Sequence, residues 1–107
     1  MSAGDAGGDV EELRRLFAEE ASRRLEAIER GLAEDAPDAE RLALEAHSLK
    51  GAARVLGFDE ADRLADELER ALAPGGRFDV EAIRRLLAAV REALPAAGGG
   101  GAAPALG

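Results

Sequence analysis

The chain has no cysteine, tryptophan, tyrosine, threonine, asparagine or glutamine, and only one lysine (Lys50) and one histidine (His47). Each absence closes a class of function. Without cysteine no disulfide can form, and nothing argues for an oxidising compartment. One histidine and no cysteine cannot assemble a zinc site. A Ser-His-acid triad would need His47 with Ser2, Ser22 or Ser48, and Ser48 is its immediate neighbour. No Gly-rich nucleotide loop carries a lysine, and an Asn-bearing ATP pocket cannot be built without asparagine. Acidic residues are plentiful, but none has the spacing of a metal-ligand cluster. Three phenylalanines and a formal charge of −8 argue against a nucleic-acid partner. No apolar run approaches the ~20 residues that cross a bilayer. Met1 to Asp9 has neither the basic region nor the apolar stretch of a signal peptide. The expectation is an acidic, cytoplasmic domain without a membrane partner.

What is present points to helices. The 107 residues suffice for one small domain and include 25 Ala, 15 Leu, 14 Glu and 13 Arg, all good helix formers. Residues 1–8 are small, Gly-rich and aperiodic, and read as a disordered lead-in. Asp9 has the character of an N-cap, and Leu13, Leu16, Phe17, Ala21, Leu25, Ile28 and Leu32 then recur at helical spacing. Asp35-Ala36-Pro37-Asp38 breaks the pattern. A second stripe follows at Leu42, Ala46, Leu49, Ala53 and Leu56, closed by Gly57. Phe58 and Asp59 read as an apolar staple and an N-cap. The third stripe is Ala61, Leu64, Ala65, Leu68 and Leu72. After Pro74-Gly75-Gly76, Asp79 caps a fourth stripe of Val80, Ile83, Leu86, Leu87, Val90 and Leu94. Pro95 ends it, and the Ala/Gly/Pro tail reads as a flexible linker. The fold class expected is all-α, an antiparallel four-helix bundle over residues 9–94. Its helices are expected near 10–34, 38–56, 59–72 and 79–94, with 95–107 as linker or tail.

One stripe departs from this economy. Ala43, His47, Lys50, Gly51 and Arg54 run along the second helix, one position round from the core residues. Ala43 and Gly51, at i−4 and i+4, are too small to cover the imidazole. Glycine inside a helix costs ~1 kcal/mol relative to alanine, and this sequence otherwise uses alanine freely. A lone helical histidine is usually a boundary residue without chemistry, and a mid-helix glycine usually a packing contact. Together, an exposed imidazole, room to reach it and a cation for an incoming anion suit phosphoryl transfer.

Glu45-Ala46-His47-Ser48-Leu49-Lys50-Gly51-Ala52-Ala53 resembles the signature of histidine phosphotransfer (HPt) domains, most closely the N-terminal phosphotransfer domain of chemotaxis-type sensor histidine kinases. The similarity continues through Val55-Leu56-Gly57-Phe58 to Leu64, Leu68 and Glu69. The resemblance implies that His47 is the phosphoacceptor and that Lys50 neutralises charge on the phosphoryl group. It implies that Gly51 leaves the approach open and that Glu69 accepts a hydrogen bond from the second imidazole nitrogen, fixing the tautomer. Residues equidistant from the Gly57-Phe58 turn come level in an antiparallel hairpin, which lets Glu69 meet His47. Asp66 stands where chemotaxis kinases commonly have a second histidine. The implied function is a phosphoryl carrier of a two-component phosphorelay, monomeric as an isolated domain and without self-sufficient catalytic activity. It would be loaded by a histidine kinase catalytic domain or a receiver aspartyl phosphate, and unloaded by a response-regulator receiver domain. No cofactor of its own is expected, ATP and Mg²⁺ being bound by the partner domains. The tail favours a module that leads into a longer kinase. The competing reading is a non-catalytic acidic helical interaction module in which His47 is incidental.

Overall fold

The computed structural model describes the backbone of residues 3–75 and 78–95, with side chains from residue 10 onward. The described residues form four helices and no strand: α1 (Ala3–Leu32), α2 (Ala39–Leu56), α3 (Asp59–Leu72) and α4 (Val80–Ala93). α1 packs on α2 and α4, α2 on α3, and α3 on α4, so the four helices enclose one core. Residues of all four expected stripes meet there. Leu25 and Ile28 of α1, Leu42 and Leu49 of α2, Leu68 and Leu72 of α3, and Ile83, Leu87 and Val90 of α4 are almost fully buried. Each large aliphatic side chain contributes ~1.5–3 kcal/mol when removed from water. Among the described residues no polar or charged side chain is buried in this core.

The ends of the helices follow local chemistry. Asp38 caps α2, its carboxylate accepting from the Arg41 backbone N–H at 3.2 Å, and Asp79 caps α4 in the same way through Ala82 N–H at 3.2 Å. Gly57 closes α2 at φ 82°. Its N–H reaches the Arg54 carbonyl, and the Phe58 N–H reaches that of Ala53 at 2.9 Å, the paired bonds of a Schellman turn. The cap expected at Asp59 lies one residue earlier. Phe58 occupies it without a side-chain hydrogen bond, and Asp59 is the first residue of α3, where its charge suits the helix dipole. Phe58 is held by packing instead. Its ring stacks on Phe17 with centroids 5.0 Å apart, and the Arg14 guanidinium lies 5.4 Å from the Phe58 centroid.

α1 differs most from expectation. It begins at Ala3, so residues 3–8, expected in a lead-in, are helical, and Asp9 lies inside the helix and does not cap it. That segment contains no proline, and nothing in its backbone chemistry forbids a helix running through it. α1 ends at Leu32, short of Glu34. Ala33 and Glu34 donate to Arg30 and Gly31 in a tighter last turn. Its 30 residues span roughly 45 Å, against about 21 Å for the 14 residues of α3 or α4. The other helices cannot cover that length. Burial on α1 begins at Phe17, and Val10, Leu13 and Leu16 are half exposed. Leu13 and Leu16 therefore lie outside the core that their spacing predicted. Leu56, Val80, Leu86 and Leu94 are partly covered at its margin. Residues 1, 2, 76, 77 and 96–107 lie outside the described residues, and with them most of the expected linker.

Candidate functional site

α2 and α3 are joined by a single turn, and three hydrogen-bonded pairs of side chains bridge them. His47 Nδ1 lies 3.0 Å from Glu69 Oε2, Lys50 Nζ lies 3.1 Å from Asp66 Oδ1, and Arg54 Nε lies 3.2 Å from Asp62 Oδ2. The spacing of His47, Lys50 and Arg54 is three then four. That of Asp62, Asp66 and Glu69 is four then three. As the number climbs along α2, the partner's number falls along α3. Every rung pairs a basic group with an acidic one.

At the first rung the ionised Glu69 carboxylate can only accept, so the imidazole donates through Nδ1–H. This leaves Nε2 with a lone pair and with no partner among the described residues. The His47 side chain is 61% exposed. Glu69 is more covered, and its Oε1 is shut off from solvent with no well-directed hydrogen bond. Lys50 Nζ stands 2.9 Å from that oxygen as an ion pair, while its directed hydrogen bond goes to Asp66. The Lys50 ammonium holds the Glu69 carboxyl below the usual carboxylate range, against the effect of partial burial, and the His47 hydrogen bond adds to it. Reciprocally, Glu69 and then Asp66 raise the lysine above its ordinary value. Asp66 is lowered by the Lys50 hydrogen bond, with Arg70 assisting at 2.7 Å.

Gly51 stands on the same outward stripe. A methyl group added to it would meet nothing within 4 Å. The glycine serves no contact inside the domain, so its helix cost is unexplained by packing. What it leaves is open surface one turn beyond the imidazole.

The structure thus brings together His47, Lys50 and Glu69, and puts Gly51 beside them with its face clear. Two features were not read from the sequence. In the sequence Asp66 shares a helix face with Asp62 and Glu69, but its pairing with Lys50 is seen only in the structure. The mirrored three-four and four-three spacings of opposite charge carried that signal. The packing at Gly31 is the second. This glycine is buried where α1 crosses α2, and a Cβ there would come within 2.6 Å of Leu42 Cδ2. Elsewhere Arg24 ties α1 to α2 through Glu45 at 2.9 Å, and Arg91 ties α4 to α1 through Glu29 at 3.0 Å. Among the described residues no group of three or more acidic or imidazole side chains is gathered to hold a metal ion, and no helix is long and apolar enough to cross a membrane.

Residues 12–97 match the family model described as the Hpt domain. No curated protein and no solved structure matches the chain.

Proposed function

This chain belongs to the Hpt domain family, and from that premise we propose that it is a phosphoryl carrier loaded on His47. Histidine phosphotransfer within a phosphorelay is the work of the family, and His47 is the sole histidine of the chain. The observation that carries the reading is the state of its ring. Nδ1 is engaged by Glu69 at 3.0 Å, while the side chain is 61% exposed.

The roles follow from the chemistry. Nε2 is the nucleophile. Glu69 holds the Nδ1 proton, which keeps the lone pair on Nε2 and balances the positive charge that builds on the ring as the N–P bond forms. Lys50 supplies the positive charge near the incoming phosphoryl group. Gly51 admits the partner's surface. A histidine kinase catalytic domain or a receiver aspartyl phosphate delivers the phosphoryl group, and a response-regulator receiver domain takes it. ATP and Mg²⁺ belong to those partners, so the domain has no self-sufficient activity.

The finer reading is a phosphotransfer domain of the chemotaxis-kinase type, acting in the cytoplasm as a monomeric, antiparallel four-helix bundle. The Glu69 contact supports the first part. The opposed numbering of the three rungs between α2 and α3 supports the antiparallel course.

The test is incubation with ATP and a cognate histidine kinase domain, followed by assay for acid-labile, alkali-stable phosphate. Wild type is expected to take the label, and His47→Gln to take none while keeping its helical circular dichroism. Labelling that survives in His47→Gln would move the acceptor to a serine or a carboxylate and end this reading.

A further inference from the structure

Asp66 has a place in the ladder that phosphotransfer as described does not require. Its Oδ1 accepts from Lys50 Nζ at 3.1 Å, and its Oδ2 meets the Arg70 guanidinium at 2.7 Å. Lys50 is therefore drawn down between α2 and α3, only 17% exposed, with its ammonium also 2.9 Å from Glu69 Oε1. The lysine needed outside, at a phosphoryl group on Nε2, is held inside by two carboxylates. Being three residues from His47 on one helix face, it has the reach to go outward. A phosphoryl group and Asp66 compete for the same ammonium.

We propose that Asp66 is a positioning residue that tethers Lys50 between α2 and α3, limiting its contact with the phosphoryl group so that loaded His47 remains a ready donor. This rests on His47 being the phosphoacceptor. In loading, the Nε2 lone pair forms the N–P bond while the bond from phosphorus to the donor's leaving group breaks, its electron pair departing with that group. The proton on Nδ1 stays in place, held by Glu69. In unloading, the N–P electron pair returns to Nε2 as an acceptor oxygen bonds to phosphorus. A lysine swung fully onto the phosphoryl oxygens would stabilise the loaded form and oppose its unloading. Asp66 limits that gain, and Arg70 keeps Asp66 from following the lysine outward.

The experiment uses the full chain with phosphoramidate as donor at a fixed ratio to ammonium, so that the His47 nitrogen exchanges the phosphoryl group with ammonia. Phosphorus NMR reads the ratio of loaded to free His47 in wild type, Asp66→Asn, Asp66→Glu, Lys50→Met and the Asp66→Asn/Lys50→Met pair. Asp66→Asn is expected to raise the ratio about two- to fivefold, the scale of one partly exposed charge pair. Asp66→Glu, which can still hold the lysine, is expected to restore it toward wild type. In the Lys50→Met background the Asp66→Asn effect is expected to vanish, an outcome that a merely structural role for Asp66 would not produce. An unchanged or lowered ratio in Asp66→Asn, or an equal rise without the lysine, overturns the tether and leaves the phosphoacceptor standing. Wild type that forms no phosphohistidine at all would overturn both.

Discussion

Gly31 and Gly51 are two glycines inside helices. Their surroundings are opposite. Gly31 is buried where α1 meets α2, and the Leu42 side chain occupies the space a Cβ would need. Gly51 faces outward one turn from His47, with nothing within 4 Å of its missing methyl group. The same helix cost of ~1 kcal/mol is offset at Gly31 by the close packing of the Leu42 side chain against α1. At Gly51 no contact within the domain offsets it, and under the proposed function the compensation is access for a partner.

The contrast can be broken first at the buried glycine. Gly31→Val adds volume against a Leu42 that is itself 1% exposed, so it is expected to destabilise the domain by about 1–3 kcal/mol. A urea titration reads this, and combination with Leu42→Ala should cost less than the two changes added together. An unaffected midpoint would mean that α1 and α2 part easily, and the two glycines would then be alike. At the open glycine, Gly51→Ala is expected to raise stability by up to about 1 kcal/mol, because the methyl group meets no neighbour. Gly51→Glu should keep the fold yet slow phosphoryl transfer about tenfold, since bulk and negative charge now confront the incoming group. Transfer at the wild-type rate would remove Gly51 from the approach surface.

The smallest effect expected is in pH dependence, and it too separates the two regions. Glu69 and Asp66 are held below their ordinary values. Their contribution to stability is complete above an unfolded-state pKa of about 4 and is lost as pH falls through the lower folded values. Lys50 is raised, so its contribution is complete below about pH 10.4 and is lost as pH rises through the folded value. Wild type should therefore hold a plateau between about pH 5 and 10 with a decline on each side. In Lys50→Met both declines should shrink, whereas the Gly31→Val deficit should be the same at every pH. Identical profiles for wild type and Lys50→Met would show that the ladder adds nothing to stability.

The α3 stripe, Ala61, Leu64, Ala65, Leu68 and Leu72, was legible residue by residue, and the structure buries all five. Such a stripe is a local pattern, and any partner surface of the right length will bury it. The α1 stripe departs from its spacing at Leu13 and Leu16 because periodicity reports a face and not how much of it a neighbour reaches. Asp59 does not cap α3, because Phe58, anchored on Phe17 from a distant part of the chain, takes the position. His47, Lys50 and Gly51 stood out through their spacing on one helix. Glu69 could be placed opposite His47 by counting outward from the Gly57 turn. Gly31 could not be read this way, because its partner Leu42 lies on another helix and nothing local distinguishes the pair.

By itself the sequence determined four helices, the cap at Asp79, the left-handed stop at Gly57 and the stripe that carries the lone histidine. These rest on interactions within a few residues: the spacing of apolar side chains, a carboxylate one turn from an unpaired N–H, and a glycine where φ must be positive. Only the tertiary structure decided how far α1 outruns its neighbours and which glycine is packed and which open. It also decided that Asp66 holds Lys50 while Glu69 holds His47. Those outcomes depend on how helices of unequal length come to rest against one another, and the distances across α2 and α3 exist only once both have docked on the same core.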